Sequence, residues 1–347
     1  MTVALQPRRP NRIRPSDAIR SFGVVGAALV ATLLLFLVTP LDGPLGFVVI
    51  GFAIFVTLQY AIVRRIMDRK HAIDHIVTTV VYACATLTAM PLVLIVGTVV
   101  AKGLPGLSLN FFTKTLEGVD PSAGPKVGGA LHAITGTLTQ VGFAVIVTVP
   151  FGILTAVYLT EIKGRFTGIV RLLVDAMSGI PSIVAGLFVY AIWVVGPGDG
   201  FSGLAAALAL SILMLPTVAR TTEEMLKLVD PSLREASLAL GSPQWRTVWQ
   251  VVLPTARSGI ITAVILGVAR VAGETAPLLM TAFGNDRVVN PGAALHEPQS
   301  ALPLFIFQQL AQDQRERAWT GALVLIGLVL ILFVIARIVS RNAKTAR

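Results

Sequence analysis

The sequence has 347 residues, of which 54% are hydrophobic and only 13% charged, and its mean hydropathy is +0.79. A soluble domain must cover its core with polar residues, so this composition excludes a soluble globular protein and predicts an all-α integral membrane protein. The formal net charge of +10 would also fit a nucleic-acid-binding protein, but the positions of the basic residues exclude that class.

Eight apolar segments are predicted to cross the membrane, each near the roughly 20 helical residues that the hydrocarbon core requires. They cover residues 22–39, 45–63, 76–101, 130–160, 172–195, 203–219, 258–283 and 319–339. With the amino terminus inside, most of the 28 basic residues fall in inner segments. The outer segments hold only Lys102, Lys114, Lys126, Arg287, Arg315 and Arg317. This asymmetry follows the positive-inside rule and predicts that both termini are cytoplasmic.

The amino-terminal part is predicted to be a basic cytoplasmic tail, 1–21, followed by a transmembrane hairpin, 22–63. A cleaved secretory signal is not expected here, because Thr39-Pro40-Leu41-Asp42 is a poor cleavage site and a second span follows at once. The remaining predicted regions are a cytoplasmic linker, 64–75, a six-span core, 76–340, and a cytoplasmic tail, 341–347.

Neither cysteine nor histidine predicts a metal site. Cys84 is the only cysteine, and no carboxylate or thiol completes a ligand set around the four scattered histidines. In the outer segment 284–318, the apolar stretch 302–307 is too short to span, so we expect it to lie at the membrane interface.

The fifth span contains the sequence Ser178-Gly179-Ile180-Pro181-Ser182. Proline removes a backbone donor and clashes with the preceding turn, so the helix is predicted to be kinked or broken at Gly179 and Pro181. A break in mid-membrane can direct a helix N-terminus at an anion, which makes Ser178 and Ser182 candidate pathway residues. A packing kink lined by small residues is an equally open interpretation.

The longest polar loop between two spans, residues 220–257, is predicted to contain two short helices. Asp230-Pro231 supplies an N-cap and a first-turn proline, and Gly241 a stop signal. Ser242-Pro243 repeats the start signal, and Pro254 is expected to end the second helix. The helical spacing of Trp245, Val248, Trp249 and Val252 predicts a single apolar face.

The seventh span contains two charged residues, Arg270 and Glu274, in an apolar run. They are four apart, so we expect them to share one helix face. Charges at this depth cost about 2.5–3.5 kcal/mol and usually face a functional interior, and a guanidinium suits an oxyanion. The two residues are therefore predicted to line a transport path, together with Thr275; a self-neutralising ion pair that only fixes helix packing is the alternative.

The loop 220–257 also resembles the EAA loop of bacterial ABC-importer permeases. Glu235-Ala236-Ser237 is followed after three residues by Gly241 and after nine more by Val251-Val252-Leu253-Pro254, with Ser237 and Val251 departing from the family pattern. The resemblance implies that this coupling loop, chiefly its 230–254 part, docks on a separate ATPase. Its predicted coupling residues are Glu235, Ala236, Ser237, Gly241, Trp245, Leu253 and Pro254. An ordinary amphipathic helix pair is the alternative interpretation.

Residues 269–279 and 179–184 further resemble the phosphate-specific permeases, in particular their A-type subunit, and this resemblance extends over about 76–340. It implies a permease for inorganic phosphate in a bacterial inner membrane, paired with a C-type permease, an ATPase dimer and an extracytoplasmic phosphate-binding protein. The chain has no GxxxxGK[ST] phosphate-binding loop. We therefore expect no enzyme activity and no cofactor on this chain, with ATP and Mg²⁺ bound by the partner ATPase.

Other functions stay open at this point. A permease for another oxyanion, sulfate or molybdate, would have the same architecture. An ion-gradient-driven anion transporter would not need the coupling loop. A membrane enzyme would need a cluster of catalytic side chains near one membrane face, and only Arg270 and Glu274 are available.

Overall fold

The structure is a computed structural model that describes residues 15–39, 43–66, 68–120, 123–124, 126–196 and 200–345. Within these ranges the regular structure is helical and contains no β-strand, as expected for a chain that must satisfy its backbone in lipid. Most of the predicted tail 1–21 lies outside the described residues, and the helix that follows begins at Pro15, earlier than the predicted span.

Fourteen α-helices are described in these ranges. They are α1 Pro15–Val38, α2 Pro44–Ile66, α3 Arg69–Gly103, α4 Leu109–Thr113, α5 Leu131–Val157, α6 Thr167–Ser178, α7 Ser182–Val189, α8 Gly203–Lys227, α9 Pro231–Ala239, α10 Gln244–Thr247, α11 Leu253–Ala272, α12 Ala276–Thr281, α13 Leu302–Ala311 and α14 Arg315–Thr345. Three π segments continue α5, α7 and α10, namely Tyr158–Ile162, Tyr190–Val194 and Val248–Val252.

Six described helices are long and apolar enough to cross a membrane, and the bent pair α6 and α7 makes a seventh if counted as one span. The apolar part of α1, Gly23–Val38, is shorter than the others. The prediction of eight spans with both termini inside therefore stays a prediction.

The chain divides into two compact units, Met1–Val96 and Gly97–Arg347, with the boundary inside α3. The predicted boundaries at 63 and 75 stay predictions. In the first unit α1 packs on α2, where a side chain at Gly51 would meet the Thr32 hydroxyl at 3.3 Å. Thr79 of α3 donates to Gln59 of α2 at 3.0 Å.

In the second unit α8 is the central helix, packed between α5 and α11. Val218 of α8 is fully buried, and a Cβ atom added to Gly152 of α5 or to Gly267 of α11 would lie 2.8 Å from its side chain. Glycine on both neighbouring helices thus permits close approach of three backbones, the arrangement by which helices associate in lipid.

The apolar stretch 302–307 forms part of α13, which is too short to span as predicted. Its residues Leu302, Leu304 and Phe305 are buried against α14 and α5. The Thr137 hydroxyl accepts the Leu302 backbone N–H at 2.7 Å and so fixes the start of α13 on α5. The expected position of this stretch at the membrane interface stays a prediction.

Candidate functional site

The fifth span is broken in two at the predicted place. Helix α6 ends at Ser178, α7 begins at Ser182, and their axes differ by 105°. Pro181 has extended backbone angles, φ −60° and ψ 140°, and its carbonyl accepts the N–H groups of Val184 and Ala185. Proline at this position can start α7 but cannot continue α6. The predicted break at Gly179 and Pro181 is confirmed.

The seventh span is also broken, which the sequence interpretation missed. Helix α11 ends at Ala272, Gly273 follows as its C-cap, and α12 begins at Ala276. Pro277 has no N–H and would clash with the Gly273 carbonyl in a continuous helix, so the chain leaves the helix between them. The prediction of one uninterrupted span over 258–283 is wrong for this reason.

The helices that follow the two breaks pack on each other. A Cβ atom at Gly186 of α7 would lie 2.7 Å from the Pro277 Cα of α12, closer than real atoms come. Such contact between backbones requires glycine at position 186. The two broken spans, 91 residues apart in sequence at these two positions, therefore form one structural site.

Arg270 and Glu274 do not share a helix face. Arg270 is in the last turn of α11 and is exposed, and its guanidinium donates to the Thr217 hydroxyl of α8 at 3.3 Å. Glu274 lies in the break, half-buried, and the described structure contains no ion pair between the two residues. The i, i+4 geometry that predicted their contact is lost because α11 ends between them.

The remaining predicted pathway residues flank the breaks. Thr275 precedes α12 and its carbonyl accepts the Leu279 N–H at 3.1 Å. Ser178, the last residue of α6, donates to the Val174 carbonyl at 2.9 Å, and Ser182 is the half-buried first residue of α7.

The first helix of the coupling loop forms as predicted. The Asp230 carboxylate accepts the Ser232 backbone N–H at 2.9 Å, Pro231 is the first helical residue, and Gly241 has a left-handed φ of +80°. The backbone hydrogen bond from Ser232 lowers the pKa of Asp230 below its usual range. Glu235 and Ala236 are exposed on this helix.

The second helix of the loop differs from the prediction. Pro243 is the N-cap and Ser242 makes no capping hydrogen bond, so the repeated start signal is only partly used. Pro254 does not end the helix, which runs from Gln244 to Ala272. The π segment Val248–Val252 shifts the hydrogen-bond register just before Pro254 and accommodates its missing N–H.

The predicted apolar face of this helix is divided. Val248 and Val252 are buried and Leu253 packs beside them, whereas Trp245 and Trp249 are 62% and 61% exposed. The wider π turn rotates the tryptophans away from the valines, so four residues at α-helical spacing do not remain on one face. The loop therefore presents two exposed aromatic side chains, of which Trp245 has the Arg246 guanidinium 5.4 Å from its ring centroid. Tryptophan is among the residue types most enriched in binding hot spots.

Arg234 attaches α9 to the rest of the second unit, a role that sequence reasoning missed. Its guanidinium donates to the Glu161 carboxylate at 2.8 Å and to the carbonyls of Leu226 and Val229 at 2.7 and 2.6 Å. Ser237 and Thr247 share a hydrogen bond of 2.9 Å that joins the two helices of the loop. Arg234 and Glu161 are 73 residues apart, so no local pattern could have paired them.

A buried carboxylate at the end of α8 was also missed. Glu223 is fully buried, and its oxygens lie 2.9 Å from Arg171, 3.5 Å from Arg220 and 3.0 Å from Lys227. The Glu223 and Lys227 spacing of four was visible in the sequence, but the burial that makes the carboxylate unusual was not.

Comparison with known proteins identifies the family that this chain resembles. Residues 148–345 match the family described as "Binding-protein-dependent transport system inner membrane component". The chain is 40% identical over 271 residues to "Phosphate transport system permease protein PstA 1" of Mycobacterium tuberculosis (strain CDC 1551 / Oshkosh), covering 77% of this chain and 88% of that protein. It is 42% identical over 247 residues to "Phosphate transport system permease protein PstA" of Pasteurella multocida, covering 70% of this chain and 85% of that one.

One solved structure shares the fold. It is a bacterial ABC transporter involved in the import of the acidic polysaccharide alginate, with a TM-score of 0.56 and 14% identity over 76% of this chain and 96% of that chain. At this identity the likeness shows a common helical architecture only.

Proposed function

The chain belongs to the PstA family of phosphate transport system permeases, and we propose that its two broken spans form half of a phosphate path that a separate ATPase opens and closes. It is the multi-pass inner-membrane permease subunit of a phosphate ABC importer, a transporter component and not an enzyme. Such importers work with an ATPase and a substrate-binding protein. For this chain we propose a PstC-like permease, a dimer of PstB-like ATPases and a PstS-like phosphate-binding protein.

One observation carries the proposed path: Arg270 lies exposed beside the break in the seventh span, with a single 3.3 Å hydrogen bond to Thr217. A guanidinium inside the membrane costs free energy, so such a residue usually has a function. Most of the N–H donors of Arg270 are available to an anion. The planar fork matches two oxygens of a tetrahedral oxyanion. Arg270 is therefore the proposed phosphate-binding cation.

Glu274 has a different proposed role from neutralising Arg270. Because it lies in the break without an ion pair to Arg270, its carboxylate can accept the hydrogen of a protonated phosphate. Ser178, Ser182 and Thr275 flank the breaks with hydroxyl groups that suit phosphate oxygens. The N-terminus of α7, which begins after its N-cap Pro181, adds a favourable dipole at the break.

The proposed mechanism is alternating access. Phosphate enters from the extracytoplasmic side while the ATPases, which hold ATP and Mg²⁺, are closed. Hydrolysis separates the ATPases, the coupling loop follows them, and the path opens inward. Trp245 and Trp249 supply exposed aromatic contacts for the ATPase surface. This mechanism requires the coupling loop in the cytoplasm and both termini inside, as the basic residues predict.

The experiment is ATP-dependent uptake of radiolabelled phosphate into liposomes that contain the whole complex, with unlabelled sulfate and molybdate as competitors. Wild type is compared with Arg270→Gln, and assembly with the ATPase is checked by co-purification. We expect phosphate uptake that resists both competitors and is lost in the assembled variant. Uptake displaced by sulfate would assign another oxyanion, and normal uptake by Arg270→Gln would remove Arg270 from the path.

A further inference from the structure

Glu223 is a carboxylate with no access to solvent and with basic partners on two helices. Arg171 of α6 donates to its Oε1 atom at 2.9 Å, while Lys227 and Arg220 of α8 lie within 3.0 and 3.5 Å of its two oxygens. Arg171 and Lys227 border an open cavity of about 1120 Å³, so water reaches the cations and not the carboxylate.

Two ion pairs connect α6 to α8. Arg171 of α6 reaches Glu223, and Asp175 one turn later on α6 pairs with Arg220 of α8. The charges alternate between the helices, so sliding α6 along α8 by one turn would bring Arg171 toward Arg220 in one direction and Asp175 toward Glu223 in the other, placing like charges together in both cases. The pairs therefore fix the axial position of α6 on α8, and not merely their contact.

The C-terminal end of α8 is hydrogen-bonded directly to the coupling loop. Arg234 of α9 donates to the Leu226 and Val229 carbonyls, which belong to the last turn of α8 and the residues after it. Leu226 is itself fully buried. A displacement of α9 therefore displaces the end of α8, within one turn of Glu223.

The far end of α6 is the break that precedes α7. Ser178 ends α6, and α7 turns away by 105° to pack on α12 beside the second break. Movement of α6 along its axis would therefore also move the break before α7, where the two broken spans pack together.

We propose that Glu223 is a positioning residue that transmits movement of the coupling loop through α8 to α6, and so to the broken spans. The ion pairs from Glu223 to Arg171 and from Asp175 to Arg220 are the links between the two helices. This inference rests on the proposed function, because it assigns a route between the ATPase dock and the phosphate path.

The chemistry of the pairs favours transmission over simple stabilisation. Burying the Glu223 carboxylate costs desolvation that the attraction to its three cations only about offsets, so apolar packing would hold two helices together equally well. Ion pairs of fixed geometry differ from apolar packing in specifying one register, their best-attested use. A link that transmits movement from α8 to α6 requires such a fixed axial position of one helix on the other.

The test uses the whole complex in liposomes and measures phosphate transported per ATP hydrolysed. Glu223→Gln is compared with Glu224→Gln, its exposed neighbour, which also pairs with Lys227 at 2.8 Å. We expect Glu223→Gln to lower the ratio about five- to tenfold, within the range of conformational coupling effects, while ATP hydrolysis continues. Glu224→Gln is expected to leave the ratio unchanged. An unchanged ratio in Glu223→Gln would overturn the proposal.

A second variant decides the matter if Glu223→Gln does not assemble. Arg171→Gln combined with Asp175→Asn cuts both links between α6 and α8 but leaves Glu223 paired with Lys227 and Arg220. Arg171 and Asp175 are about half exposed, so their replacement leaves no cavity. The same fall in the ratio supports the proposal, and full coupling in this variant refutes it. Failure of wild type to transport phosphate would instead refute the proposed function.

Discussion

Arg270, beside the break after α11, is exposed and makes one hydrogen bond of 3.3 Å to Thr217. Arg234, in the coupling loop, donates to the Glu161 carboxylate and two carbonyl oxygens at 2.6–2.8 Å. Both are arginines in a membrane permease subunit, yet one has most of its donors available and the other uses them within the chain. The difference supports the proposal that the first meets a passing ligand, whereas the second holds the fold.

The same contrast applies to the carboxylates. Glu274 lies in the break without an ion pair to Arg270, whereas Glu223 is fully buried among three cations. In the broken spans, close packing comes from backbones, as at Gly186 and Pro277. Around Glu223 and at Arg234 of the coupling loop it comes from charged side chains. Variants of each kind of contact can test whether backbone packing serves the phosphate path and charged side chains hold the coupling region.

The largest expected effect on stability is that of Arg234→Gln. Removing the guanidinium leaves a nearly buried Glu161 without its partner, so we expect the free energy of unfolding to fall by about 2–4 kcal/mol. Arg270→Gln, the matched control, should change it by less than about 0.5 kcal/mol. Thermal unfolding of the purified chain in detergent measures both. Equal losses would remove the distinction between the two arginines.

Gly186→Ala should act in the broken spans by a purely steric route. Its Cβ atom would lie 2.7 Å from the Pro277 backbone, which cannot yield as a flexible side chain would. We expect a destabilisation of about 2 kcal/mol and reduced phosphate uptake. Gly142→Ala is the control, because nothing lies within 4 Å of a Cβ atom there. If both alanines are tolerated alike, α7 and α12 do not depend on close backbone contact.

Trp245→Ala tests the exposed face of the coupling loop. The side chain is 62% exposed in the chain itself, so its loss should hardly affect folding but should raise the dissociation constant for the ATPase about tenfold. The exposed Gln250 in the same helix gives the control, Gln250→Ala. Affinity is measured by binding of the purified ATPase to the permease complex in nanodiscs. An unchanged dissociation constant would mean that the ATPase does not bind through Trp245.

The smallest expected effect is that of Asp230→Ala, which removes the N-cap of α9 and should lower the Tm by about 2 °C. Because the hydrogen bond from Ser232 lowers the pKa of Asp230, its contribution is present above the unfolded value, about pH 3.9, and is lost as the pH falls through the lower folded value. Asp230→Asn keeps the cap without titrating. Thermal unfolding between pH 3 and 7 should show this acid-dependent loss in wild type and not in Asp230→Asn.

Local chemistry allowed much of this to be predicted from the sequence. Apolar runs near 20 residues identified the helices, Asp230-Pro231 and Gly241 identified α9, and Pro181 identified the break in the fifth span. Each signal acts over a few residues, because capping, proline sterics and hydropathy are local effects. The membership of the permease family was visible for the same reason, since its motifs are contiguous.

The predictions that were wrong failed where a local signal had two possible outcomes. Pro254 was expected to end a helix and did not, since a π segment shifts the register before it; Pro277 was not expected to break one and did. Proline only removes a donor and adds a clash. Whether the chain kinks, shifts register or breaks depends on what packs around it.

The sequence by itself therefore determined that this is a helical membrane protein, where its helices lie and which family it belongs to, because these follow from composition and short-range pattern. Only the tertiary structure decided which charges pair, because Arg171 and Glu223, Arg234 and Glu161, and Arg270 and Thr217 are each more than 50 residues apart. It also decided that the two breaks meet through α7 and α12. Long-range contacts depend on how helices pack against one another, and that packing is fixed jointly by the whole chain.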